Sequence, residues 1–252
     1  MRIVFIGAGN MASSLAPALQ KNGEEIIQVY SRTEESATQL ASALGCEHTT
    51  CLEHICPEAD IYIYALRDEV YLKTDIFEQI HSKADSLHIL TGASIDINII
   101  SKAHQAVLYP FQTFSKQHPI CDFSRIPILI EASDDYSLNT VEKLARTLTG
   151  HVYHSTLETR THLHIAGVIA NNFCNYMYQL ASEQLQKAEL PFSVLLPLID
   201  ETASKVHAIS PREAQTGPAI RHDKTTINQH LSMLDEKTKI IYACISSQIE
   251  NL

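Results

Sequence analysis

The chain has 252 residues, of which 45% are apolar and 19% charged, and it carries a formal net charge of −10. That balance suits a globular protein with a sizeable core and excludes a chain that needs disulfides or metal to hold together. The negative charge argues against general affinity for nucleic acid or an anionic membrane.

In chain order, Ile3 to Ile6 is a short apolar run of the kind found in a strand buried on both faces, and Gly7 ends it. Leu15, Ala18 and Leu19 recur at helical spacing until Asn22-Gly23 stops them. A second strand is expected at Ile26 to Tyr30, then a helix from Glu34 to Leu44 with Gly45 as its stop. Further strands are expected at Ile61 to Ala65, Leu87 to Thr91, Ala106 to Tyr109 and Ile126 to Ala132, with His151 to His154 as the last. Asp68 and Glu69 read as a helix start. Strands alternating with helices predict a doubly wound parallel sheet of Rossmann type over residues 1–154.

From residue 155 the pattern changes. Ser155-Thr156-Leu157-Glu158 reads as a capping box in which the serine hydroxyl and the glutamate serve first-turn amides. Nothing then breaks a helix before about Ala188. Ala166, Ile169, Ala170, Phe173, Met177 and Leu180 form one stripe at 3.6 periodicity, expected to pack. A helix from Ser193 to Lys205 and two beyond His222 complete an all-helical second domain, 155–252.

The six cysteines do not suggest a disulfide scaffold. Cys46, Cys51 and Cys56 stand five apart, whereas structural zinc sites pair cysteines two to four apart, so no metal is expected. The apolar run after Met1-Arg2 is too short for a signal peptide, and no stretch is long enough to span a membrane. A cytoplasmic protein is the expectation.

Gly7-Ala8-Gly9-Asn10-Met11-Ala12 fits G-x-G-x-x-A between a strand and a helix, the context of a dinucleotide site. Gly7 permits the sharp exit, Gly9 lets backbone approach a pyrophosphate, and Ala12 keeps helix and sheet close. Asn10 and Met11 stand at the helix start, where free amides favour phosphate. Ala65 and Leu66, at the exit of a neighbouring strand, complete the predicted crevice. The second strand ends in Tyr30-Ser31-Arg32-Thr33, without the acid that usually holds an NAD ribose. Ser31, Arg32 and Thr33 suit a 2′-phosphate, so NADP is the expected cofactor. The plainer reading is a solvated arginine beside a Ser/Thr helix cap.

Tyr109-Pro110-Phe111-Gln112-Thr113-Phe114-Ser115, His164 to Phe173 and Ala214 to Arg221, taken with the glycine turn, resemble a Rossmann-like protein joined to a DUF2520 domain. The N-terminal half is similar to pyrroline-5-carboxylate reductase and the F420-dependent NADP oxidoreductases. The resemblance implies a helical C-terminal domain like that of the 6-phosphogluconate dehydrogenase superfamily, which commonly dimerises. A homodimer through the helical domain is therefore expected. Related enzymes often place a Lys and an Asn one turn apart in the long helix. Here there is no such Lys, which speaks against a simple 3-hydroxyacid dehydrogenase.

On that helix, taking His164 as zero and 100° per residue, Asn171 and Asn175 fall within about 20° and Asn172 about 80° round. One face thus presents His and Asn while the apolar stripe lies opposite. His164 is the candidate proton donor or acceptor. Asn172, Gln112 and Arg221 are candidate orienting groups, and Arg221 suits a substrate carboxylate. The competing readings are a solvent or dimer face for His164, a rigid Pro110 turn at Gln112, and an interdomain Arg221–Asp223 ion pair. The expected activity is hydride transfer between NADP(H) and a small carbonyl, imine or hydroxy compound. The alternative is a non-catalytic NADP(H)-binding sensor or partner-binding dimer.

Overall fold

The alternating apolar strands of the N-terminal half assemble, in the computed structural model, into one eight-stranded sheet of order β3-β2-β1-β4-β5-β6-β7-β8. The structure describes residues 1–73 and 75–252. The strands are β1 (Arg2–Ile6), β2 (Glu25–Tyr30), β3 (Glu47–Thr49), β4 (Ile61–Tyr64), β5 (Leu87–Leu90), β6 (His104–Pro110), β7 (Ile128–Ala132) and β8 (Val152–His154). Helices α1 (Ala12–Lys21), α2 (Glu34–Leu44), α3 (Asp68–Lys73), α4 (Ile76–Gln79) and α5 (Asp135–Leu148) connect them. Two compact units divide the chain, Met1–Asn171 and Asn172–Leu252.

In the first unit, side chains alternate between the two sheet faces as the pleat demands. Ile3, Phe5, Ile61, Ile63, Ala106 and Leu108 pack with residues of α1, α2 and α5. Val4, Ile6, Tyr62, Tyr64, Val107 and Tyr109 pack on the other face with Tyr71, Ile76 and Phe77. Both faces are covered, which is why these strands read as nearly continuous apolar runs.

Two strand expectations need correction. β7 runs antiparallel to β6, with Ala106 opposite Ala132 and Pro110 opposite Ile128. The physical reason is that residues 111–127 contain no helix, and antiparallel neighbours need no helical crossover. β3 was not expected; it is a short polar edge strand, Glu47-His48-Thr49, paired only with β2. α2 follows its expected bounds, with Gly45 closing it at φ 68° in the left-handed region.

α6 (Leu157–Gly167) leaves β8 capped by Thr156, whose hydroxyl accepts from the Thr159 amide at 3.2 Å. The expected serine cap is corrected: Ser155 Oγ instead donates to the Ile130 carbonyl at 3.1 Å. Residues Val168–Phe173 then form a π-helix, which the uninterrupted helical periodicity did not foretell. α7 (Cys174–Lys187), α8 (Leu196–Ala208), α9 (Lys224–Met233) and α10 (Glu236–Glu250) make up the second unit. Among the described residues, no helix is long and apolar enough to cross a membrane.

One buried titratable group gives the first unit a pH signature. His88 on β5 is 1% exposed, held between the Tyr64 hydroxyl at 2.8 Å and Ser82 Oγ at 3.1 Å. Burial, with a smaller push from Lys102, lowers its pKa from 6.5 to about 3. As acidity rises the unfolded chain therefore takes up this proton first. The contribution of His88 is complete above about pH 6.5 and drains as pH falls toward 3, by about 1.4 kcal/mol per unit. Denaturant unfolding compared at about pH 7 and about pH 5 should register that loss. His88→Gln should flatten the slope; a slope unchanged by the substitution would refute the assignment.

Candidate functional site

The site begins where β1 ends. Gly7 has φ +114°, and a Cβ there would lie 2.4 Å from the carbonyl oxygen of Ala65, so only glycine fits. Its amide donates to Tyr30 O at 2.8 Å, and the Ala65 amide donates to Ile6 O at 2.9 Å. The carboxyl ends of β2, β1 and β4 are thereby joined, and between β1 and β4 the strand order reverses. That is the topological switch point, where open α/β sheets bind ligands.

A cleft of about 410 Å³ lies there. It is lined by every predicted cofactor contact: Gly7, Gly9, Asn10, Met11, Ser31, Arg32, Thr33, Ala65 and Leu66. At Gly9 an added Cβ would meet only Ala65 O, at 3.9 Å. No protein atom forbids a side chain at Gly9, so its glycine keeps the cleft itself open for a close-lying ligand. α1 starts at this floor with no side-chain cap and no acid in its first turn. Its amides and positive dipole end are available to a phosphate.

At the far end of the cleft the lining turns cationic and hydroxylic. Ser31, Arg32, Thr33 and Ser36 are joined there by Lys116, and Arg67 also lines the cleft; sequence reasoning missed both. Lys116 comes from the loop after β6, and its Nζ lies 3.3 Å from Ser36 Oγ, a residue 80 positions earlier. The loop is held because the Ile120 amide donates to Ser14 Oγ at 3.0 Å. Thr33 occupies the N-cap position of α2 but makes no capping bond, which disposes of the plain helix-cap reading of its hydroxyl. The acid next in sequence, Glu34, is bonded to His48 at 2.8 Å and is not part of the lining. This end of the cleft thus fits a phosphate on the ribose better than a bare 2′-hydroxyl.

The candidate catalytic residues fall into both units. His164 is exposed on α6, and its Nδ1 lies 3.2 Å from the hydroxyl of Tyr109 at the end of β6. Gln112 is exposed, and its Oε1 accepts from the neighbouring Thr113 amide at 2.8 Å. Asn172 and Arg221 belong to the second unit, and both are exposed. Asp223, the suggested partner of Arg221, caps α9 by accepting from the Thr226 amide at 3.0 Å and the Thr226 hydroxyl at 2.7 Å.

The helix face bearing His164 corrects the sequence reading. Arg160, fully buried, donates from Nε to Ala93 O at 3.3 Å and from Nη2 to Ile95 O at 2.9 Å, and its Nη1 pairs with Glu131. Leu163 packs on the sheet face that carries Tyr64 and Tyr109, and a Cβ at Gly167 would meet the Phe111 ring at 2.8 Å. Arg160, Leu163, His164 and Gly167 share one helical face by their spacing, and it is this polar face that packs. The first part of the apolar stripe is left open, with Ile169 at 56% and Phe173 at 57% exposure, while Leu180 at its far end is buried. The π-helix also changes the angle per residue, so the wheel that set Asn171 and Asn175 beneath His164 does not carry past Gly167. With a buried guanidinium answering two carbonyls and a carboxylate, polar bonding outweighs burial of the apolar stripe here.

The cation-rich end yields a direct test of cofactor form. Lys116→Ala and Arg32→Ala should each weaken NADPH binding by about tenfold or more, roughly 1.4 kcal/mol per tenfold, and leave NADH almost unaffected. Titration of both cofactors by fluorescence would check this; equal losses for the two would remove the 2′-phosphate from this corner.

Comparison with known proteins agrees with this geometry. Residues 2–90 match the family described as NADP oxidoreductase, coenzyme F420-dependent, and residues 126–249 match the domain of unknown function DUF2520. No curated protein matches the chain. A Bacteroides fragilis protein provisionally named an NADP oxidoreductase is 45% identical, with a TM-score of 0.94 over 100% of this chain and 98% of that one. The 1-pyrroline-5-carboxylate reductase of Streptococcus pyogenes shares the fold at 13% identity, with a TM-score of 0.67 over 100% and 99% of the two chains. An imine reductase from Myxococcus stipitatus, solved with NADP+, does so at 14% identity, with a TM-score of 0.61 over 100% and 92%. With nearly half its residues identical to the Bacteroides protein along the whole length, the chain belongs to the NADP oxidoreductase family that joins a Rossmann half to a DUF2520 half, and NADP is its cofactor.

Proposed function

We propose that this chain catalyses hydride transfer between NADP(H) and a small carbonyl, imine or hydroxy compound. The observation that carries the reading is the glycine-floored cleft at the switch point, closed at one end by Arg32, Lys116 and hydroxyls. Bound NADPH supplies the hydride; the protein orients the substrate and manages one proton. The main-chain turn at Gly7, Gly9, Asn10 and Met11 holds the pyrophosphate against the start of α1. Ser31, Arg32 and Thr33 hold the 2′-phosphate, and Ala65 and Leu66 form the wall opposite. His164 handles the proton, while Asn172, Gln112 and Arg221 orient the substrate, with Arg221 taking a carboxylate where there is one.

We assign cofactor binding to residues 1–154 and substrate binding and dimerisation to 155–252. A homodimer through the helical part is supported by α8. None of its residues is buried, and Leu196, Leu198 and Val206 are 47%, 62% and 49% exposed. In the same unit an apolar groove of about 520 Å³ runs between α7, α9 and α10, lined by Met177, Leu180, Ile241 and Ile245. Exposed apolar surface on this scale marks an interaction site, and a second copy supplies matching surface by symmetry.

Turnover is tested by following NADPH absorbance with a panel of small ketones, aldehydes and cyclic imines. Imines head the panel because the structurally similar pyrroline-5-carboxylate and imine reductases are named for C=N reduction. Oxidation of NADPH by at least one compound is expected. Tight NADPH binding with no turnover across the panel would favour the sensor instead. Sedimentation equilibrium should give twice the chain mass, and Leu198→Glu should shift it toward the monomer; a wild-type monomer at micromolar concentration would defeat the dimer.

A further inference from the structure

The Tyr109 hydroxyl lies within hydrogen-bond distance of His164, and Tyr109 has no task in the reaction described above. It stands at the carboxyl end of β6, the same end of the sheet as the cleft. β5 and β6 are parallel neighbours with Leu90 opposite Val107, so Thr91, which lines the cleft, and Tyr109 leave their strands at the same edge. Leu66, another cleft residue, packs in the same apolar cluster as Tyr109. Just beyond Thr91, Gly92 leaves the space in which a Cβ would lie 3.3 Å from Asp68 Oδ1.

The phenol is 8% exposed and has its hydroxyl 3.2 Å from His164 Nδ1. Burial, reinforced by the Asp68 carboxylate, pushes its pKa up, so the hydroxyl keeps its proton near neutrality. His164, by contrast, is exposed and reaches water. A proton held on a buried group and a solvent-linked imidazole behind it are the two ends of a relay.

We propose that Tyr109 is the catalytic acid that hands the proton to the substrate, and that His164 acts through it. This rests on the reductase reading above and reassigns direct substrate contact from His164 to Tyr109. As the hydride reaches the substrate carbon, the electron pair of its C=O or C=N bond takes the proton from Tyr109 Oη. The oxygen left behind takes the proton of His164 Nδ1 as His164 Nε2 takes one from solvent, so the ring stays neutral throughout. Substrate, NADPH and one solvent proton give the reduced product and NADP+. In the oxidative direction the same groups run in reverse. Asp68 stabilises the protonated phenol in the resting state.

Three variants test the order of the relay. Tyr109→Phe should lower kcat by about 100-fold, the scale of a lost general acid, with NADPH affinity within about twofold of wild type. His164→Ala should lose less, and added imidazole should restore part of its rate. The Tyr109→Phe, His164→Ala double variant should not respond to imidazole. A purely structural role for His164 predicts no rescue. In addition, 15N NMR of histidine-labelled protein should show the His164 Nδ1 resonance displaced in Tyr109→Phe, whether or not a substrate has been found. A rate for Tyr109→Phe within about threefold of wild type, or rescue that survives in the double variant, overturns the role of Tyr109 and leaves the reductase reading intact. An unmoved Nδ1 resonance overturns the pair itself. Absence of any turnover by wild-type protein, with the NMR displacement present, defeats the reductase reading and with it the relay, while leaving the hydrogen bond established.

Discussion

The exit of β1 at Gly7 passes the Ala65 carbonyl so closely that a methyl group would stand 2.4 Å from it. Because the chain can turn there without a side chain, β1 and β4 remain paired to their last residues and α1 begins at once above the gap. The Gly7 amide takes the last carbonyl of β2, so three strand ends are tied in one place. The crevice, the helix start and the position of Ser31-Arg32-Thr33 all follow from that contact. Gly9 is different in kind, since no protein atom crowds it. One glycine is required by the fold, and the other borders the open cleft.

Net charge and local charge part company in this molecule. The chain carries a formal −10, yet its cleft is lined by Arg32, Arg67 and Lys116. Glu34 is turned to His48, while Glu69 lies 3.9 Å from Arg67 in an exposed pair that offsets little of that positive charge. The cleft thus offers guanidinium, ammonium and hydroxyl donors, and at contact distance such local groups outweigh the overall field of the protein.

The orientation of α6 depends on Arg160. Ala93 and Ile95, just past the end of β5, offer carbonyls that the sheet does not satisfy, and the guanidinium answers both while pairing with Glu131. Leaving those acceptors and the carboxylate unanswered would cost several kcal/mol, roughly the scale of a broken buried pair. That bonding holds the polar face of the helix against the sheet and brings His164 to Tyr109. It also leaves Ile169 and Phe173 in the open, which a lone chain would not favour.

Strands and glycine turn were legible in the sequence because they are local: a period of two, a run of apolar residues, three glycine-class positions between a strand and a helix. The bounds of α2, the residues from Gly7 to Leu66 that line the cleft and the helical second half were read from such patterns. What the sequence could not contain was pairing at a distance. Lys116 meets Ser36 across 80 residues, β7 turns back along β6 because its connection lacks a helix, and Tyr109 finds His164 from another element. The helical wheel set His164 with Asn171 and Asn175 and did not single out Arg160, because periodicity ranks faces only by their apolar content. It has no knowledge of two waiting carbonyls or of a π turn. Tertiary structure decided that the polar face packs, because unsatisfied buried acceptors cost more than exposed leucine-like surface.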